Sequence, residues 1–223
     1  LSGNVRAKLA AAEGADRNDP AIKANVTALT AALPKDLEPG QIKARLGAGW
    51  IETSDVRDFI HELADINTRD IRVDYSPAVA TWAVRVDNGR KTAANEAVWG
   101  TPAYDAVDLI TDTLNFKLPT IWTGPKDAKV VDKAATAYLR EMQQKIKAEF
   151  SEWVWRDPER TDRLVNKYNQ EKNALKLREF TPPAGYTLQG ANPGIELWPN
   201  QLRAIWRATQ TPSMGLFHAP GGG

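Results

Sequence analysis

The sequence contains no cysteine and only two histidines. Without thiols there is no disulfide scaffold, no thiolate zinc site and no cysteine nucleophile, and the composition suits a reducing compartment. His61 and His218 lie 157 positions apart, too few and too scattered for a sequence-local metal site. No apolar run approaches the ~18 residues that a membrane-spanning helix needs, and no segment reads as a secretory signal. An excess of one charge is also missing: 29 Lys and Arg face 28 Asp and Glu, for a formal net charge of +1. That balance excludes a binder whose affinity rests on bulk positive charge, and a chain kept disordered by self-repulsion. There is no Gly-x-Ser-x-Gly elbow, and neither histidine sits in a catalytic motif, so a stand-alone hydrolase has no support. Carboxylate pairs such as Asp105 with Asp108, or Asp157 with Glu159, read as helix surface and caps. No catalytic and no metal-binding residue is expected, and the start at Leu1 rather than Met points to a piece of something longer.

What is present is ordinary globular material. The 223 residues are 42% hydrophobic and 26% charged, enough for a real core. Eight tryptophans are spread along the chain, at 50, 82, 99, 122, 153, 155, 198 and 206. A stacking platform for bases or sugars would group its aromatics on one strand face; this spacing predicts core anchors instead.

The first part reads as helices. Asp19-Pro20 is an N-cap with proline at the first helical position. Ile22, Val26, Leu29 and Leu33 then form an apolar stripe, and Pro34 closes it. Glu38-Pro39 opens a short helix carrying Ile42 and Leu46, ended by Gly47 and Gly49. Thr53 or Ser54 caps the next, with Val56, Phe59, Ile60 and Leu63 inward and His61 beside the stripe. The period then changes to two: Ile71, Val73 and Tyr75, then Trp82, Val84 and Val86, predict paired strands broken at Ser76-Pro77. A two-stranded hairpin is marginal alone, so it should pack on helices, and a third strand is expected from 96–99 or 120–122. Thr101-Pro102 starts a further helix. Asp132 caps the longest one, whose stripe is Leu139, Met142, Ile146, Phe150 and Trp153, and Asp157-Pro158 turns it into the next, giving a helical hairpin. From Asp132 to Arg178 there are eleven basic and eight acidic residues, an excess of three that a solvated helical face explains. The Pro- and Gly-rich stretch from Phe180 to Pro193 reads as a connector.

The tail carries the chemistry. A helix from about Pro199 to Thr209 precedes Met214 to Phe217, which is short and apolar as a buried strand is. His218-Ala-Pro-Gly-Gly-Gly223 follows. An apolar strand running into glycines is how a phosphate-binding loop begins, because glycine lets backbone N–H groups approach phosphates.

The run from Asn200-Gln201-Leu202-Arg203 through Trp206-Arg207 to the terminal glycines resembles the start of a superfamily-two helicase motor (Swi/Snf-like, DEAD/DEAH-type). In particular it resembles the large helicase proteins of phages and mobile elements, of anti-restriction type, often fused to an adenine-specific DNA methyltransferase. Further matches are Leu1-Ser-Gly-Asn-Val-Arg-Ala-Lys-Leu9, Asn25-Val-Thr-Ala-Leu29, Ile42-Lys-Ala-Arg-Leu-Gly-Ala-Gly-Trp-Ile51, Trp99-Gly-Thr101, Leu114-Asn115, Phe150-Ser-Glu-Trp-Val-Trp-Arg-Asp-Pro158, Arg160 and Tyr168-Asn169. They extend the resemblance over essentially the whole chain, in the region between methyltransferase and motor.

The resemblance implies that Gln201 contacts the adenine of ATP and that Gly221, Gly222 and Gly223 form the phosphate loop, with ATP and magnesium as cofactors of the parent protein. The Lys and Thr that complete the motif do not follow, and the methyltransferase's Asn-Pro-Pro-aromatic motif is missing. The chain by itself is therefore expected neither to hydrolyse ATP nor to unwind or methylate DNA. The partners implied are DNA and the neighbouring methyltransferase and helicase domains, with no membrane, in the cytoplasm or associated with a virion.

The expected fold is α+β, mainly α: helical bundle elements with a small antiparallel β-element, ending at the first strand and truncated phosphate loop of a RecA-like lobe. The expected segments are a helical linker (1–35), a small α+β subdomain (36–125), a helical hairpin (126–180), and a connector with the truncated motor start (181–223). Two functions compete. One is an accessory module of a DNA-dependent ATPase that positions the motor and contacts the DNA backbone through Arg160 and Lys167 on the hairpin. The other is a non-catalytic structural or protein-interaction fragment without DNA affinity.

Overall fold

A computed structural model of the chain describes residues 2–15, 18–125, 128–188, 190, 192, 194, 196–211 and 213–215. It is a mixed α/β chain, about half of it helical, with small antiparallel sheets. In order, the described residues form β1 (Gly3–Asn4), α1 (Val5–Glu13), α2 (Pro20–Ala31), α3 (Thr53–Ala64), β2 (Ile71–Ser76), β3 (Thr81–Val86), α4 (Ala106–Leu114), β4 (Trp122–Thr123), β5 (Val130–Val131), α5 (Lys133–Trp153), α6 (Pro158–Glu171), β6 (Leu175–Lys176) and α7 (Pro199–Gln210). Two compact units result: Leu1–Pro34 with Ala174–Gly223, and Lys35–Asn173.

In the first unit α1 packs on α2, and Val5, Leu29 and Ala32 form a small buried cluster. Asn4 caps α1 by accepting the Ala7 N–H, and Asp19 caps α2 with Pro20 at its first position. Of the stripe on α2 only Leu29 is fully buried; Ile22 and Val26 are half-covered. β1 pairs antiparallel with β6, joining the two ends of the unit.

The second unit holds the main core. Val56, Phe59, Ile60 and Leu63 of α3 meet Val107, Ile110 and Leu114 of α4 and the expected stripe of α5, from Leu139 to Trp153. Phe59 lies edge-on to Phe150, with ring centroids 5.1 Å apart, and beside Trp153 at 5.2 Å. Each such buried aromatic contributes about 2–3 kcal/mol by removing its face from water. The helical hairpin is therefore not a separate body, because Leu139, Ile146, Phe150 and Leu164 share one core with α3 and α4.

β2 and β3 form the hairpin that the period-two pattern predicts. Its register pairs Ile71 with Val86, Val73 with Val84 and Tyr75 with Trp82. Those six residues are the buried or half-buried ones; their neighbours along each strand are exposed.

The expected third strand does not join this sheet. Residues 94–98 wind into a π-helical turn (Ala94–Val98), and β4 pairs instead with β5 in its own two-residue ribbon leading into α5. The free edge of β3 is occupied at Trp82 by the side chain of Asn115. Three helix starts also move, the first being α3, which begins at Thr53 with Glu52 rather than Thr53 or Ser54 as its N-cap. Thr101 and Tyr104 form a tight bridged turn, so α4 begins at Ala106 with Asp105 as its N-cap. The Glu38-Pro39 signal yields only a 3₁₀ turn, Pro39–Gln41, and Ile42 leaves it extended.

Of the eight tryptophans, Trp50, Trp82 and Trp153 are buried anchors, Trp99, Trp155 and Trp206 are half-buried, and Trp122 and Trp198 are mostly exposed. The expectation of anchors thus holds for the three in the main core.

Candidate nucleic-acid interface

Arg160 and Lys167, the expected DNA contacts, both have partners within the chain. Asp157 caps α6 by accepting the Arg160 N–H at 2.7 Å, which brings the Arg160 side chain back over the α5–α6 corner. There its guanidinium donates to the carbonyls of Trp153 (2.8 Å) and Val154 (3.2 Å) and lies 3.6 Å above the Trp153 ring. Its donors add to the Arg156 N–H at the Trp153 carbonyl and supply a partner for the Val154 carbonyl at the end of α5. Lys167 pairs with Glu52 at 3.2 Å, next to Arg163, which reaches Glu52 at 2.6 Å and the buried Asp55. The Asp55 hydrogen bond raises the Arg163 pKa against the opposing effect of burial, and the charges of Asp55 and Glu52 add to it. Lys167 and Arg163 thus link α6 to α3, and Arg160 links it to the end of α5.

Gln201 stands at the third position of α7, and its side-chain oxygen accepts the Trp198 N–H at 2.8 Å. Gly221, Gly222, Gly223 and His218 lie outside the described residues. Of the expected strand from Met214 to Phe217, only Met214 and Gly215 are described, and they carry no regular structure. His61 is exposed, with Nδ1 2.7 Å from the Ile66 carbonyl oxygen, a local closure of the turn after α3.

The carboxylates near α4 form a structural network. Arg90 donates to Asp105 at 2.5 and 2.9 Å and also to Asp108. Asn95, fully buried, donates to the Arg90 carbonyl at 2.6 Å and accepts the Val107 N–H at 3.1 Å. Burial pushes the Asp105 carboxyl up, but Arg90's hydrogen bond, the Asp108 N–H and Arg90's charge outweigh it and hold the group below its ordinary value. Tyr104 donates to Asp112; burial first, then that bond and charge, raise its pKa. Among the described residues no group of three or more His, Asp or Glu stands close enough to hold a metal ion, and no helix is long and apolar enough to cross a membrane.

A groove of about 510 Å³ lies between the end of α4, the loop at 45–46 and one face of α5. Its charged lining residues are Arg45, Lys117 and Lys147, and no carboxylate lines it. Among the described residues none of the three takes part in an ion pair, whereas Arg57, Arg72, Arg90, Arg156, Arg163 and Lys167 all do. Phe116 and Leu118 stand exposed at its wall.

That wall is rigidly held. The buried Gln143 of α5 donates to the Lys117 carbonyl at 2.8 Å, and Arg140 donates to the Pro119 carbonyl at 3.3 Å. Sequence reasoning missed this site because its cations come from three separated segments. A count of charge along the hairpin gives no sign of it.

The second unit is thus an α+β domain with one carboxylate-free cationic groove. A family model described as "Domain of unknown function (DUF8437)" matches residues 45–174, so the chain belongs to that family. The match covers nearly all of the second unit and contains every residue lining the groove. No curated protein and no solved structure matches the chain.

Proposed function

We propose that this chain is an accessory module of a DNA-dependent ATPase of the helicase–methylase kind, whose second unit holds the DNA backbone in the cationic groove. The observation that carries the reading is the set of three cations, Arg45, Lys117 and Lys147, which have no ion-pair partner among the described residues and surround a cavity with no acidic residue in its lining. In a chain of net charge +1, such a concentration is local, and phosphates are the partners that such cations fit. The resemblance supplies the context: a motor that begins near Gln201 as a RecA-like lobe, uses ATP and magnesium, and lies next to a methyltransferase. In this reading the module positions DNA and contributes no chemistry of its own.

The test is fluorescence anisotropy of labelled DNA with the full chain across a salt series. Binding that weakens linearly in log–log form with salt is expected, because phosphate contacts release counterions. Absence of binding at low salt overturns the reading. It would select the protein-interaction alternative, which draws on Leu175 and Leu177, 63% and 83% exposed in and beside β6.

A further inference from the structure

Helix α4 ends in a Schellman closure. The Lys117 N–H donates to the Asp112 carbonyl at 2.8 Å and the Phe116 N–H to the Thr113 carbonyl at 3.2 Å. The residue after the C-cap must then be left-handed, a place that glycine ordinarily fills. Here it is Phe116, at φ +57°. A bulky side chain in this region is a steric outlier. Nor does core packing account for it, since Phe116 is 76% exposed. The ring stands at the cationic groove beside Gly47, where a Cβ would approach Phe116 Cζ to 3.1 Å and the Leu114 carbonyl oxygen to 2.5 Å.

The Schellman closure accounts for the left-handed backbone, but the ring is 76% exposed and touches the chain mainly at Gly47, so most of its face is left uncovered at the groove. Strain of this kind marks functional positions. The neighbours of the ring specify a ligand that carries both negative charge and a flat apolar face. Nucleotides have that combination, and in single strands the base face is free to stack. In a duplex it is covered. The groove's volume, about 510 Å³, fits a short stretch of single strand.

Resting on the DNA reading above, we propose that the groove takes single-stranded DNA, with one base stacked on Phe116 and the adjoining phosphates on Arg45, Lys117 and Lys147.

The experiment compares labelled dT20, the same length of abasic strand and a 20-base-pair duplex, each titrated with the full chain and with Phe116→Gly and Phe116→Trp. Glycine suits the left-handed backbone, so Phe116→Gly is expected to fold at least as stably and to melt at a higher temperature. It is nevertheless expected to lose about tenfold or more in affinity for dT20, the order of one stacked base, while its affinity for abasic strand and duplex stays unchanged. Phe116→Trp is expected to retain dT20 binding. If Phe116→Gly binds dT20 within twofold of the parent, or weakens on all three ligands alike, stacking is overturned while backbone binding stands. If none of the three ligands binds at low salt, both readings fall together.

Discussion

The side chain of Asn115 treats Trp82 as a neighbouring strand would. Its Oδ1 accepts the Trp82 N–H at 2.9 Å, and its Nδ2 donates to the Trp82 carbonyl at 3.0 Å. One amide thus satisfies both backbone groups of a residue that is only 2% exposed, on the open edge of β3. Asn169 does the same for Leu37, at 2.9 and 3.0 Å.

Removing the amide leaves two buried backbone groups without partners. Asn115→Ala is expected to lower stability by about 3 kcal/mol, the cost of an orphaned donor and acceptor. Asn115→Asp keeps the acceptor but places a carboxylate against the Trp82 carbonyl, and is expected to destabilise at least as much. Urea unfolding followed by tryptophan fluorescence reads both. A loss under 1 kcal/mol for the alanine variant would show that water replaces the amide.

Gly100 is buried at the turn before α4. A Cβ there would meet the Ala106 nitrogen at 2.6 Å, the Asn95 carbonyl oxygen at 2.7 Å and the Asp105 carbonyl carbon at 2.7 Å. All three are backbone atoms, so no side chain can rotate away. Gly100→Ala is expected to cost about 3 kcal/mol, the upper end for one added methyl in a packed site. Gly185, with nothing within 4 Å of such a Cβ but φ +76°, isolates the conformational part: Gly185→Ala is expected to cost about 1 kcal/mol. A loss under 1 kcal/mol for Gly100→Ala would remove the steric explanation.

Asp105 makes stability depend on pH. Its carboxyl titrates below the ordinary 3.8 in the folded chain, so folding favours the charged form. The stabilisation is complete above that value and is lost as pH falls from it through the lower folded value. Asp105→Asn retains an N-cap oxygen for the Asp108 N–H but removes the ion pair with Arg90. It is expected to lose about 2 kcal/mol at pH 7 and to show a shallower decline below about pH 4. Melting temperature against pH, parent and variant together, checks this; parallel curves would place the acid sensitivity elsewhere.

Much of the fold is written in local signals. The caps Asp19, Asp132 and Asp157 lie where their polar side chains precede proline or an apolar stripe, and the hairpin alternation predicts which faces of β2 and β3 turn inward. What does not appear in local signals depends on distant partners. The segment 96–99 has strand-like composition, but Thr92 bonds the Ala64 carbonyl at 2.5 Å and Asn95 is buried beneath Val107, which wind the chain into a helical turn. Many residues that carry the family resemblance are packing and closure devices: Gly47, Gly100, Asn115, Trp153, Arg160 and Asn169. They specify the domain without specifying what it binds. The groove arises from positions 45, 117 and 147, which only the tertiary fold brings to one cavity.

Arg160 and Lys147 separate these roles. Both are basic residues of the hairpin, and by sequence alone either is a candidate for phosphate. Arg160 spends its guanidinium on two carbonyls and the Trp153 ring. Arg160→Ala is therefore expected to lose about 2 kcal/mol of stability and to bind DNA as the parent does under conditions where it is folded. Lys147 lines the groove and has no acidic partner among the described residues. Lys147→Gln is expected to leave the melting temperature within about 1 °C, since the half-buried Lys147 has no ion pair among the described residues to lose and glutamine keeps most of its stem. Its DNA affinity should fall and the slope of log affinity against log salt should decrease by about 1, one phosphate contact fewer. The opposite pattern, with affinity following Arg160 and not Lys147, would return the interface to the α5–α6 corner and leave the groove without a role in binding.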